Sequence, residues 1–101
     1  MARKPNDDER RRIKREYKLA ELAAAQAAMI LDRTNLDALR EHVDARLAET
    51  PCDHSLRLTL AWAGQHGVDR DALTASVRHF GGYCDCEVVD NVDSESIFGR
   101  E

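Results

Sequence analysis

Two short stretches about thirty residues apart place the strongest constraint on this chain. In "CDH", Cys52 and His54 stand one residue apart, and in "CDC" Cys84 and Cys86 do the same. These are the three cysteines of the sequence. Three thiolates and one imidazole complete a tetrahedral donor set for zinc, with bonds of about 2.0–2.3 Å. For all four to meet, the residues between them must double back. The apolar pattern over that span reads as a pair of helices able to do so. Each donor pair also lies at a chain break, one between Pro51 and a helix, the other after Gly81-Gly82.

Both pairs are one residue shorter than the commoner C-x₂₋₄-C zinc spacing. In a straight strand, side chains at i and i+2 share a face but stand too far apart for one ion, so a kink is required, and Gly82 can supply it. Two other readings stand beside zinc. The thiols can be small buried side chains, or Cys52 can form a redox pair with Cys84 or Cys86. A direct Cys84–Cys86 disulfide would be strained. Metal is favoured because a chain of 101 residues has a thin core, and small domains commonly need a staple. With four protein ligands the site is closed, hence structural rather than catalytic. Its net charge of about −1 with zinc can be offset by Arg57 or Arg78. His42, His66 and His79 are expected at the surface, and His79 is close enough in sequence to replace His54 as ligand.

The rest of the chain reads as helices. Alanine and leucine dominate its apolar residues, and aromatics make up 5%, a balance that favours helix over sheet. Residues 6–32 predict one long basic helix, capped by Asn6 with Glu9 three residues on. Ile13, Tyr17, Ala20, Ala24, Ala27 and Leu31 follow a heptad-like stripe that can pack on the body or on a second copy. A second helix buries Leu36, Leu39, Val43 and Leu47 and ends near Pro51. Ser55 can cap a third, which is apolar nearly all round (Leu56, Leu58, Leu60, Ala61, Trp62, Ala63) and therefore central. Gly67 ends it, Asp69 caps a fourth with Leu73, Val77 and Phe80 inward, and Gly81-Gly82 stop that one. "YCDCEVV" has period two, which predicts a short C-terminal strand or hook with Cys84, Cys86 and Val88 on one face and Tyr83, Asp85 and Glu87 on the other. The expected fold is mainly α: about four helices and the hook, closed by zinc. The organisation is a basic, alanine-rich helix over residues 1–33, a metal-stapled domain over 34–92 and a frayed tail over 93–101.

Charge is unevenly spread. Residues 1–18 carry eight Lys/Arg against four Asp/Glu, and the remainder seven against fifteen. Arg10, Arg11, Arg12, Lys14, Arg15 and Lys18 are therefore the candidate contacts for nucleic acid, with a solvated helix face as the ordinary alternative. "LTLAWAGQHGVDRDALTASVRHF" has the outline of a helix-turn-helix, but Asp69 and Asp71 set against Arg70 and Arg78 suit two packed core helices better than DNA phosphates. No apolar run reaches the roughly 18 residues that span a bilayer, and nothing resembles a signal peptide, so a cytoplasmic location is expected. Glu87, and less so Asp85, are candidate acid–base groups if the metal is catalytic, as in zinc deaminases, but the H-x-E and P-C-x-x-C spacings of those enzymes are absent.

"PCDHSLRLT", then "W", "GV" and "HFGGYCDCEVVDNV", resemble a bacterial family, domain of unknown function 2695. The resemblance spans most of residues 10–92, and the basic leader and "LDALREHVDARLAE" look like its actinobacterial members. It carries over Cys52, Asp53, His54, Cys84, Asp85, Cys86 and Glu87 as signature positions, with Ala63 standing where a bulkier residue is expected. It implies that the two motifs belong together and adds no substrate. The functional expectation is a non-enzymatic binding or regulatory module with a structural Cys₃His zinc site. The alternatives are a metal-dependent enzyme or metal/redox sensor, and nucleic-acid binding through the basic helix. A protein partner or a homodimer through that helix is the expected form of interaction.

Overall fold

The computed structural model describes residues 7–99, which form six helices and no strand among the described residues. They are α1 (Asp7–Ala28), α2 (Arg33–Glu49), α3 (Arg57–Gln65), α4 (Arg70–His79), α5 (Asp85–Asn91) and α6 (Ser94–Phe98). The expected Asn6 cap lies outside the described residues. No helix among them is long and apolar enough to cross a membrane.

The core follows the apolar periodicity. Leu36, Leu39 and Val43 of α2, Leu73 and Val77 of α4, and Val88 and Val92 at α5 are fully buried, around Trp62 and Ala63 of α3. Each such side chain contributes about 1.5–3 kcal/mol on burial. The α3–α4 turn closes as expected. Gly67 is left-handed (φ 67°), and Val68 N–H reaches back to the Ala63 carbonyl at 2.9 Å, the 6→1 bond of a Schellman ending. The same ending recurs after α4, where Gly81 takes φ 89° and Gly82 N–H donates to the Val77 carbonyl at 2.8 Å. Gly82 is confined for a different reason. A Cβ there would lie 2.9 Å from Val92 Cγ2, 3.0 Å from Val88 Cγ2 and 3.1 Å from the Val77 carbonyl oxygen.

Several expected details change. α1 ends at Ala28 rather than Asp32, and Met29 and Leu31 turn into the core from the linker. Asp32 instead caps α2, accepting from Asn35 N–H at 2.8 Å. Ser76 on α4 fixes this linker, donating to the Ala28 carbonyl (2.8 Å) and accepting from Ile30 N–H (3.0 Å). Residues 94–98, expected in a frayed tail, form α6 with Ile97 buried. Asp93 caps it, and the Ser94 hydroxyl donates to the Asp37 carboxylate on α2.

The stripe on α1 does not pack on the body. Ile13 and Tyr17 are 57% and 68% exposed, and Ala20, Ala24 and Ala27 are exposed too. Leu22, Ala25 and Ala28, on another face, are the partly buried residues of the second half of α1. The helix, about 33 Å long by its rise per residue, therefore projects from the bundle and draws the molecule out to 61 × 24 × 24 Å.

Candidate metal centre

The period-two stretch is not a strand. Cys84 is the extended N-cap residue of α5 (φ −144°, ψ 169°), and Asp85, Cys86 and Glu87 form the first helical turn. The acidic residues suit the positive end of the helix dipole, and Val88 and Val92, four apart, bury one side. A helix start swings the chain between Cys84 and Cys86, so it supplies the bend that a strand would have lacked. Their sulfurs lie 3.3 Å apart. Cys52, from the loop between α2 and α3, completes the group: the three sulfurs all lie within 4.8 Å of one another. All three thiols are free. Cys84 is buried, and Cys52 and Cys86 are half-buried.

Asp85 holds the two stretches in register, and its position corrects the expectation that it faces solvent. The residue is fully buried. Its carboxylate accepts from Leu58 N–H (3.1 Å), Thr59 N–H (3.0 Å) and the Thr59 hydroxyl (2.8 Å). These groups open α3, whose N-cap Leu56 offers no side-chain acceptor. Asp85 N–H in turn donates to the Ser55 carbonyl at 2.9 Å. The residue between two of the thiols is thus the remote cap of the helix that follows the third. Ser55, expected to be that cap, instead accepts from Arg57 N–H at 3.3 Å, one position too early to serve Leu58 or Thr59.

The "CDHS" loop is tightly tied. Asp53 accepts from the Ser55 N–H (3.0 Å) and hydroxyl (2.5 Å) and pairs with Arg57 at 3.1 Å. The Ser55 hydroxyl first, with its N–H and Arg57, holds the Asp53 carboxyl below its ordinary range. His54 adopts the left-handed region (φ 66°), unusual for a residue with a Cβ and costing about 1 kcal/mol or more. That turn brings its backbone N–H to 3.4 Å from Cys52 Sγ. Its imidazole is exposed and is not among the three converging donors. His79 ends α4 with its ring edge-on to Phe80 at 4.8 Å, and it does not join the thiols either. His66 stacks on Trp62 at 4.3 Å.

The thiols differ electrostatically. The backbone N–H of Cys86, helped by that of His54, favours the Cys52 thiolate and lowers its pKa despite some desolvation. At Cys84 the Glu87 N–H favours the thiolate, but burial and the contacts with Cys86, Cys52 and the Glu87 carboxylate outweigh it and push the pKa up to about 12. Glu87 Oε1 lies 3.5 Å from Cys84 Sγ, so this half-buried acid turns toward the thiols rather than away from them.

The family model described as "Protein of unknown function (DUF2695)" matches residues 39–91, a span that contains all three thiols and His54. Uncharacterized proteins of Mycobacterium bovis and Mycobacterium tuberculosis are each 46% identical over 96 residues, covering 94% of this chain and 97% of theirs. No solved structure matches.

Proposed function

The chain belongs to the DUF2695 family, whose description carries no activity, and on that footing we propose a small zinc-binding protein. In this reading Cys52, Cys84, Cys86 and His54 hold one ion in a closed site, and the domain is a non-enzymatic binding or regulatory module. The observation that carries it is the convergence of three free thiols from two distant stretches within 4.8 Å. Zn–S bonds of about 2.3 Å in a tetrahedron set sulfurs roughly 3.8 Å apart, so small side-chain rotations suffice. Arg57, held at the same loop by Asp53 and by the Pro51 carbonyl, supplies positive charge to offset the anionic centre. The backbone N–H of His54 lies 3.4 Å from Cys52 Sγ, and in this reading a rotation of its exposed side chain brings the imidazole to the fourth position.

Elemental analysis of the purified protein tests this. About one zinc per chain is expected, with loss in Cys86→Ser and in His54→Ala. A metal-free, fully folded wild type would overturn the reading.

A second reading draws on the His54 ring lying outside the converging group and on Glu87 beside Cys84. A Cys₃ site with an open fourth position would suit a metal-dependent enzyme or a metal/redox sensor, with Glu87 as acid–base group. Retention of metal in His54→Ala would favour it. Nucleic-acid binding has support of a different kind, the exposure of Arg10, Arg11, Arg12, Lys14, Arg15 and Lys18 on a projecting helix. Steep salt dependence of binding would be its signature.

A further inference from the structure

We infer that the bare face of α1 pairs with the same face of a second copy of this chain, the two helices running antiparallel. Ile13, Tyr17, Ala20, Ala24 and Ala27 recur at steps of four and three and so share one face along the helix. Every one of them is exposed. The face lies opposite the Leu22–Ala25 side that meets the body, yet it is apolar rather than polar, and two of its members, Ile13 and Tyr17, are among the largest exposed apolar side chains of the described residues.

The order of sizes and charges along the stripe selects both occupant and direction. Bulky residues fill its first half and alanines its second. In an antiparallel pair centred between residues 18 and 19, Ile13 meets Ala24 of the second copy and Tyr17 meets Ala20, so each large side chain packs on a small one throughout. The same register places Lys14 beside Glu21 of the second copy, and symmetry repeats that attraction on the other side. A parallel pair would instead stack Tyr17 on Tyr17 and alanine on alanine, leaving gaps, and would set Glu16 beside Glu21. Antiparallel helix dipoles add to the preference. The stripe points away from the body and the helix projects, so an antiparallel pair sets the two bodies at its opposite ends.

Sedimentation velocity of the full chain, from low micromolar to near-millimolar concentration, tests this. A monomer–dimer equilibrium is expected. Ala24→Glu, at an exposed position that leaves the helical circular dichroism unchanged, abolishes it. Lys14→Glu weakens the dimer several-fold, and Lys14→Glu combined with Glu21→Lys restores it. A wild type that stays monomeric, a dimer indifferent to Ala24→Glu, or a charge swap that fails to restore pairing would each overturn the inference. So would α1 residues that stay solvent-exposed in the dimer by hydrogen exchange.

Discussion

Replacing Asp85 by alanine removes the carboxylate that ties the start of α5 to the start of α3. Three hydrogen bonds to a buried carboxylate are lost, at 2.8–3.1 Å, and two N–H groups and a hydroxyl at the start of α3 lose their acceptor. A hydrogen bond to a charged group contributes about 1.5–3 kcal/mol net, and a helix cap about 1 kcal/mol. The desolvation of Asp85 itself offsets part of the sum, so about 3 kcal/mol is the expected loss, near the lower end for breaking a buried charged interaction. In a domain of this size that lowers the melting temperature by about 12–24 °C. Asp85→Asn keeps one acceptor oxygen for Thr59 but turns an amide toward Leu58 N–H, so about half the loss is expected. The assay is urea unfolding in the presence of chelator, which isolates the polypeptide from any metal. A loss below about 1 kcal/mol in Asp85→Ala would refute the reasoning, because the start of α3 would then be held by something else.

Gly82→Ala should destabilise by about 1–3 kcal/mol by overpacking, since its Cβ would press on Val88, Val92 and the Val77 carbonyl; thermal unfolding reads this. Acid sensitivity should include Asp93. Partial burial works against its charge, yet the Ser96 hydroxyl, the N–H groups of Glu95 and Ser96 and the Arg40 charge hold its pKa below the ordinary 3.8. A depressed folded pKa means a contribution that is present above the unfolded pKa and lost as pH falls through the folded one; Asp93→Asn should flatten stability below about pH 4 in acid titrations. Cys84 has the opposite sign. Its pKa, raised from 9.0 to about 12, gives the metal-free protein a contribution that is full below pH 9.0 and lost as pH rises toward 12. A metal ion must displace that proton, so calorimetry in two buffers should show at least one proton released per ion, and affinity should fall as pH falls.

The helical registers were legible wherever apolar residues recur at three and four, as in Leu36, Leu39 and Val43 or Leu73 and Val77, because burial of one face decides such segments. The glycine stops after α3 and α4 were legible because a left-handed residue is needed there. The hook differs from the sequence reading because six residues of alternation cannot separate a strand from the first turn of a helix, and the preference of the acidic residues for a helix start decides it. Asp85 looked like an outward charge beside Glu87. Ser55 in "SLRL" reads as the local cap of α3, whereas the acceptor for Leu58 and Thr59 lies 27 and 26 residues on. α6 escaped because five residues with one fully buried apolar side chain, Ile97, carry almost no periodicity. At the centre, cysteine spacing anticipated the convergence of Cys52 with Cys84 and Cys86, whereas the exposed His54 ring lies outside that group, because spacing does not encode the direction of a side chain.

X-ray absorption at the zinc edge of the metal-loaded protein tests the central claim most directly. The account predicts a first shell of three sulfurs at about 2.3 Å and one nitrogen at about 2.0–2.1 Å, with the nitrogen lost in His54→Ala. A shell of oxygen and nitrogen alone, or a protein that takes up no zinc while all three thiols stay reduced, would contradict it.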